Sequence, residues 1–362
     1  MMEYQYNSTL VFINLFLWLF LIMVYRKDFW AYRIKRNQNY WLLYCCVSLF
    51  TTFAFSEPDT YHYHEIYDRM LKINSSIHVE DFYYILLKFL PENYYLWRFF
   101  IWGIATLILI IAFNRFHLNP GVVSFLLPVI LLQQLSITRG CLGISIFLLS
   151  ISFLLKPIKG RRIISVLISI IGCIVSLYFH RSMPIFIFLF FFSYIPLNRF
   201  SILTLIILFP FIRLLLVPQM VQLLNLGIFN EDTIMFSMKY IQGEQSIANV
   251  MGLARQAFEY LPRFLIIYFI VKYIIFNKDG KPSYIIQLAQ YTFLLFYISL
   301  LLYGQEVSSF MASRTIHMMC FPLLIVSAYA STMDIKKTLL RCSIVLFIIY
   351  DLFSFIHSIY KW

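Results

Sequence analysis

Long apolar stretches, separated by short clusters of charged and turn-forming residues, dominate the chain. Apolar runs fall at about 10–25, 40–55, 96–113, 120–136, 141–155, 163–179, 183–197, 201–217, 261–276, 284–303, 315–331 and 339–357. A helix needs roughly 20 apolar residues to cross the hydrocarbon layer of a bilayer, so twelve runs would occupy about 240 positions. The run at 183–197 is short, which predicts a tilted or partly re-entrant segment. The pattern predicts an all-α, polytopic integral membrane protein with about 12 transmembrane helices. It reads as a single transmembrane domain over residues 1–362, with two longer outer loops at about 56–95 and 218–260 and no internal repeat.

Both long loops carry local patterning. In the first, Phe82, Ile85, Leu86, Phe89 and Leu90 recur at helical spacing, which predicts an amphipathic helix on the membrane surface. In the second, Gln219-Met220-Val221-Gln222-Leu223-Leu224 predicts another short helix.

Composition sharpens this picture. Hydrophobic residues make up 61% of the chain and charged residues 13%, against about 25% charged in an ordinary soluble domain. A soluble globular enzyme, a disordered chain and a disulfide-stapled secreted domain are thereby excluded. The net charge of +12 would point to nucleic acid in a soluble protein. Here it is ascribed to membrane topology and phosphate-bearing lipids, and no nucleic-acid partner is expected. Cys45, Cys46, Cys141, Cys173, Cys320 and Cys342 lie in or beside apolar runs without metal-ligand spacing, and read as small apolar residues. The first run lacks a basic stretch before it and a small-residue cleavage site after it, so no cleaved signal peptide is expected.

Basic residues set the orientation. Arg26, Lys27, Arg33, Lys35 and Arg36, then Lys156, Lys159, Arg161 and Arg162, then Lys336, Lys337 and Arg341 fall on one side of a twelve-span chain, taken as cytoplasmic. Most acids, among them Asp59, Asp68, Glu80 and Glu259, fall on the other side.

Against that topology several arginines stand out on the outer side: Arg139, Arg181, Arg255, Arg263 and Arg314, with Arg213 inside the eighth span. Charge at membrane depth is costly and faces a cavity or a partner. Guanidinium forks suit phosphate oxygens, so the set points to an anionic ligand, the alternative being pairing with the outer acids. Arg139 is the sharpest case, in the short turn Ser136-Ile137-Thr138-Arg139-Gly140, where few acids are at hand. Gly140 and Gly143 would let a backbone or ligand approach. His180, in His180-Arg181-Ser182, has the chemistry of a general base and equally that of a helix cap. In the first loop, Asp59, Tyr61, Tyr63, Glu65, Tyr67 and Asp68 mix acids with aromatic rings. That composition suits sugars, though an interfacial aromatic belt has the same composition. His62 and His64 lack a third ligand, so no metal site is expected. No nucleotide-binding motif is present either.

Thr138-Arg139-Gly140-Cys141-Leu142-Gly143, a helix, a basic turn, a second helix and Phe179-His180-Arg181-Ser182-Met183 together resemble the core of the EpsG/Wzy family of polytopic bacterial surface-polysaccharide polymerases. Asp59-Thr60-Tyr61 through Tyr67 resembles the family's Asp-x-x-x-Tyr region, Glu80-Asp81-Phe82-Tyr83-Tyr84 its acidic-aromatic segment, and Arg314 a late family arginine. Family members often carry Gln after the turn arginine, where this chain has Gly140.

The resemblance implies a Wzy-type glycosyltransferase in the bacterial inner membrane, with its active site facing the periplasm. It would join undecaprenyl-diphosphate-linked repeat units without metal, nucleotide or other cofactor. Its partners would be the lipid-linked donor and acceptor, membrane lipids, a chain-length regulator and a flippase. Arg139 and Arg314, assisted by Arg181 and Arg255, would hold diphosphate, and Tyr61 and Tyr67 would contact substrate. His180, or an acid such as Asp59 or Glu80, would accept the attacking proton. The alternatives are an O-antigen ligase-like enzyme and a non-enzymatic flippase or transporter of lipid-linked oligosaccharide.

Overall fold

A computed structural model describes residues 41–53, 88–118, 138–179, 183–225, 250–278, 280–302 and 309–330, together with single positions at 16–24, 64–71, 123 and 127. Helices and their connecting turns account for these residues, and no strand occurs among them. Lipid offers no hydrogen-bond partners, so a spanning segment satisfies its own backbone by closing it into a helix.

The helices follow the apolar runs closely. They are α1 Trp41–Phe53, α2 Tyr94–Phe116, α3 Thr138–Leu155, α4 Arg162–Phe179, α5 Met183–Phe192, α6 Arg199–Asn225, α7 Val250–Ile270, α8 Ser283–Leu302 and α9 Ser309–Ala330. Among the described residues, three stretches are long and apolar enough to cross a membrane by themselves: Tyr94–Phe116, Arg162–Phe179 and Ser283–Leu301. The twelve-span count extends into runs outside the described residues. The chain divides into two compact units, residues 1–187 with 327–362, and residues 188–326.

Within the first unit, α4 shows why this is a membrane fold. Its large apolar side chains point outward: Ile163 is 77% exposed and Tyr178 75%. Its buried residues are Ser165, Ser169, Ser176 and Phe179. A soluble helix has the reverse arrangement. Small inward residues let helices approach closely. Ser169 donates to the Ser150 carbonyl of α3, and Gly172 faces Ser150 so tightly that a β-carbon would run into its hydroxyl. Gly143 admits the backbone foreseen for it: a β-carbon there would lie 3.3 Å from the Ser176 carbonyl oxygen and 3.3 Å from Phe179 Cβ.

Helix α2 is closed at both ends. Asn93 caps its start, accepting from the Leu96 N–H at 3.0 Å. His117 ends it in the left-handed region at φ 54°, and the N–H of Leu118 returns to the Phe113 carbonyl at 3.3 Å. The C-termini of α2 and α3 then cap each other. Arg115 donates to Ser152 Oγ at 2.9 Å and to the Lys156 carbonyl at 2.6 Å. Lys156 donates back to the Arg115 carbonyl at 2.9 Å. Cations at these ends also oppose the negative pole of each helix. Burial, and then the neighbouring Arg115, holds the Lys156 ammonium below its ordinary pKa.

In the second unit, the short run at 183–197 ends its helix at Phe192. Its ten residues span about 15 Å, half a bilayer's hydrocarbon thickness. The backbone that follows needs partners. Buried Gln290 of α8 provides them when its side-chain amide is oriented with the nitrogen toward the carbonyls of Ser193, at 2.9 Å, and Ile195, at 3.1 Å, the orientation that satisfies both ends of the amide. Tyr297 likewise donates to the Leu205 carbonyl of α6 at 2.7 Å. Residues 219–224 form no separate helix, because α6 runs on without a break to Asn225. Helix α7 contains Pro262 and leads into a π-helical turn, Val271–Ile275. The surface helix expected around Phe82–Leu90 lies largely outside the described residues; of the described positions in it, Lys88 and Phe89 are helical and Leu90 is in a bend.

Replacing Gln290 with Leu removes the donor from the Ser193 and Ile195 carbonyls, and a carbonyl left unsatisfied away from water costs about 1–3 kcal/mol. The expected outcome is a lower thermal unfolding midpoint in detergent than wild type. Gly172→Leu should be worse, forcing α3 and α4 apart. Its yield of monodisperse protein on size exclusion should fall well below that of Gly172→Ala, whose single methyl asks the Ser150 hydroxyl to rotate and Ser150 Cβ, 3.0 Å away, to give by a few tenths of an ångström.

Candidate functional site

Helix α2 begins in a cluster of rings. Tyr94 occupies its first turn and Trp97 the same face one turn on, both buried. Tyr67, from the first loop, packs on both, with ring centroids 5.5 Å from Tyr94 and 5.6 Å from Trp97. His64 lies 4.4 Å from the Tyr94 ring. Its Nδ1 stands 3.3 Å from Asp68 Oδ2. His64, Tyr67 and Asp68 are each helical, and the i, i+4 spacing places His64 beside Asp68. Offset and edge-to-face ring packing of this kind is favourable beyond burial alone.

Tyr67 is the group around which the others gather. It is 3% exposed, and its hydroxyl has no hydrogen-bond partner among the described residues. A buried hydroxyl without a partner costs about 1–3 kcal/mol. Burial, and then the nearby carboxylates of Glu92 and Asp68, push its pKa upward. The phenol therefore keeps its proton through the neutral range and acts as a donor. The folded state binds that proton more tightly than the unfolded one. The associated stability is present below the ordinary tyrosine pKa of about 10 and is lost as pH rises through the raised value.

One turn beyond Tyr94, Arg98 is buried at 3% exposure. Trp102 and Thr106 continue its line along α2. Their indole nitrogen and hydroxyl are buried without a partner among the described residues. Sequence reading passed over Arg98 because it lies inside an apolar run. The available signal was its i, i+4 spacing to Tyr94 and Trp102. The His64–Asp68 pair was readable from the same spacing, but the histidines were weighed only as metal ligands.

The other candidates divide by location. Arg139 stands in the first turn of α3 rather than in a free turn, where the helix pole is positive and favours an anion. Arg255 and Arg314 each lie in the second turn of a helix, α7 and α9 respectively. Arg263, directly after Pro262, is fully buried, at 0% exposure, and Arg213 of α6 is half-buried. Asp59, Tyr61, Glu80, His180 and Arg181 lie outside the described residues.

Comparison with known proteins now adds the class. No curated protein and no solved structure matches the chain. The model of the EpsG family matches residues 49–361. That stretch contains the ring cluster, α2 and the arginines at 98, 139, 181, 213, 255, 263 and 314. With a match over most of its 362 residues, the chain belongs to the EpsG family, a family of polysaccharide polymerase-like membrane proteins.

Proposed function

We propose that this protein is a Wzy-type polymerase, joining undecaprenyl-diphosphate-linked oligosaccharide repeat units at the periplasmic face of the bacterial inner membrane. The observation that carries the reading is the buried wall of Tyr67, Tyr94 and Trp97 in a membrane chain of this family. Aromatic rings with a neutral phenol donor suit the apolar faces and hydroxyls of a saccharide.

The chemistry needs no external energy source. A hydroxyl at the non-reducing end of one repeat unit attacks the anomeric carbon of the donor glycan. The bond from that carbon to the diphosphate oxygen breaks, and the lipid diphosphate leaves with the electron pair. Negative charge grows on the leaving group, so fixed positive groups accelerate the step. Arg139 fits this role, because its side chain and the helix pole of α3 are both positive. Arg314, Arg181 and Arg255 complete the anionic subsite in this proposal. Asp59 and Glu80 serve the acceptor side with Tyr61. His180, the next residue in sequence after Phe179, is one acceptor for the attacking proton in this proposal. The membrane-embedded chain works with the lipid-linked donor and acceptor, and a chain-length regulator and flippase would flank it in assembly.

The test uses the purified protein in liposomes with a lipid-linked oligosaccharide extract from a host strain lacking it. Wild type should convert the extract into a ladder of repeats on a glycan gel. Arg139→Ala should slow ladder formation by about 10²–10³-fold, the size of effect seen when one preorganised charge-stabilising donor is lost. Arg139→Lys should recover only part of the rate, because an ammonium lacks the bidentate fork. Full activity of the lysine variant would rule out bidentate binding by Arg139. A single-addition product in place of a ladder would move the reading to a ligase.

A further inference from the structure

The polymerase reading leaves the proton acceptor open, and the geometry at the start of α2 points to one. We infer that His64, oriented by Asp68, takes the proton from the attacking sugar hydroxyl, and that the hydroxyl of Tyr67 positions the acceptor sugar. This inference rests on the polymerase reading and assigns the acceptor half of its site.

Three observations converge. First, the imidazole and carboxylate meet through Nδ1, at 3.3 Å. A carboxylate on Nδ1 selects the tautomer whose Nε2 accepts a proton, the arrangement used by hydrolytic histidines. Second, the histidine is neither sealed in nor freely solvated: its side chain is 24% exposed and that of Asp68 45%. A glycan can therefore reach it. Third, the Tyr94 ring joins the two functional groups, 4.4 Å from His64 and 5.5 Å from Tyr67. The Tyr67 hydroxyl, buried among them, has no partner among the described residues. A sugar oxygen bound there would supply the acceptor that this phenol lacks.

The step balances. The O–H bond of the acceptor sugar breaks and its proton passes to His64 Nε2. The oxygen bonds to the donor's anomeric carbon, and that carbon's bond to the diphosphate oxygen breaks, the electron pair leaving with the lipid diphosphate. The imidazolium, stabilised by Asp68, then returns its proton to water or to the leaving diphosphate. His64 is thus a catalytic residue, whereas Asp68 positions it. Both belong to the first loop, so proton acceptance is assigned there in place of His180.

The liposome assay separates these roles through His64→Ala, His180→Ala, Asp68→Asn and Tyr67→Phe, each checked for an unchanged thermal unfolding midpoint. Loss of a general base lowers the rate by about 10²–10⁴-fold. His64→Ala should show a fall of that size, and imidazole added to the buffer should restore part of the ladder. Asp68→Asn should slow turnover less, without rescue by imidazole. Tyr67→Phe keeps the ring, and should raise the acceptor KM about tenfold with kcat retained, as expected for one lost hydrogen bond of about 1.4 kcal/mol. A His64→Ala protein that works at the wild-type rate would overturn the assignment. So would one that is folded but inactive and unresponsive to imidazole, or a His180→Ala protein that alone shows imidazole rescue. If wild type makes no ladder, the polymerase reading fails, and this assignment fails with it.

Discussion

Everything in this chain answers to one constraint: lipid cannot hydrogen-bond to a protein backbone. Apolar sequence alone would be content in any helix. The constraint shows itself where the backbone departs from the helix. At Ser193 and Ile195 the short α5 has ended, and Gln290 reaches across to their carbonyls. At the ends of α2 and α3, Arg115 and Lys156 exchange donors with each other's terminal carbonyls. Among the described residues, most side-chain hydrogen bonds go to backbone groups.

The same constraint inverts the usual division of faces. On α4 the large apolar side chains look outward and the serines look inward. Lipid is as apolar as leucine, so close packing of small residues replaces the hydrophobic effect between helices. Ser150, Ser169 and Gly172 form such a contact between α3 and α4. In that setting a buried group with no partner is a signal of function. Among the described residues the Tyr67 hydroxyl, beside a His–Asp pair, is one such group, and the Trp102 indole nitrogen and Thr106 hydroxyl of α2 are others.

Much of the fold was legible in the chain, since period and length are local properties. The runs at 96–113, 163–179 and 284–303 became α2, α4 and α8 with no end shifted by more than three residues. The shortness of the run at 183–197 was also legible, and the helix there stops at Phe192. The reading failed where a helix continues beyond its apolar stretch. Residues 219–224 read as a separate short helix, yet α6 carries them without a break, because a helix is closed through its backbone and does not have to end where side chains become polar.

The candidate site was legible only as composition. The acids and rings of the first loop, and the arginines set among apolar runs, declared a polar ligand without saying which groups meet. Sequence by itself determined the membrane class, the helical segments and the EpsG family, since each rests on residue type and spacing along one dimension. Tertiary structure alone decided that Tyr67 would be buried against Tyr94 and Trp97, that Gln290 would serve the backbone of α5, and that Arg98 would be sealed within the unit. Those outcomes depend on which helix faces pack together. Packing joins residues far apart in the chain, and no local pattern encodes it.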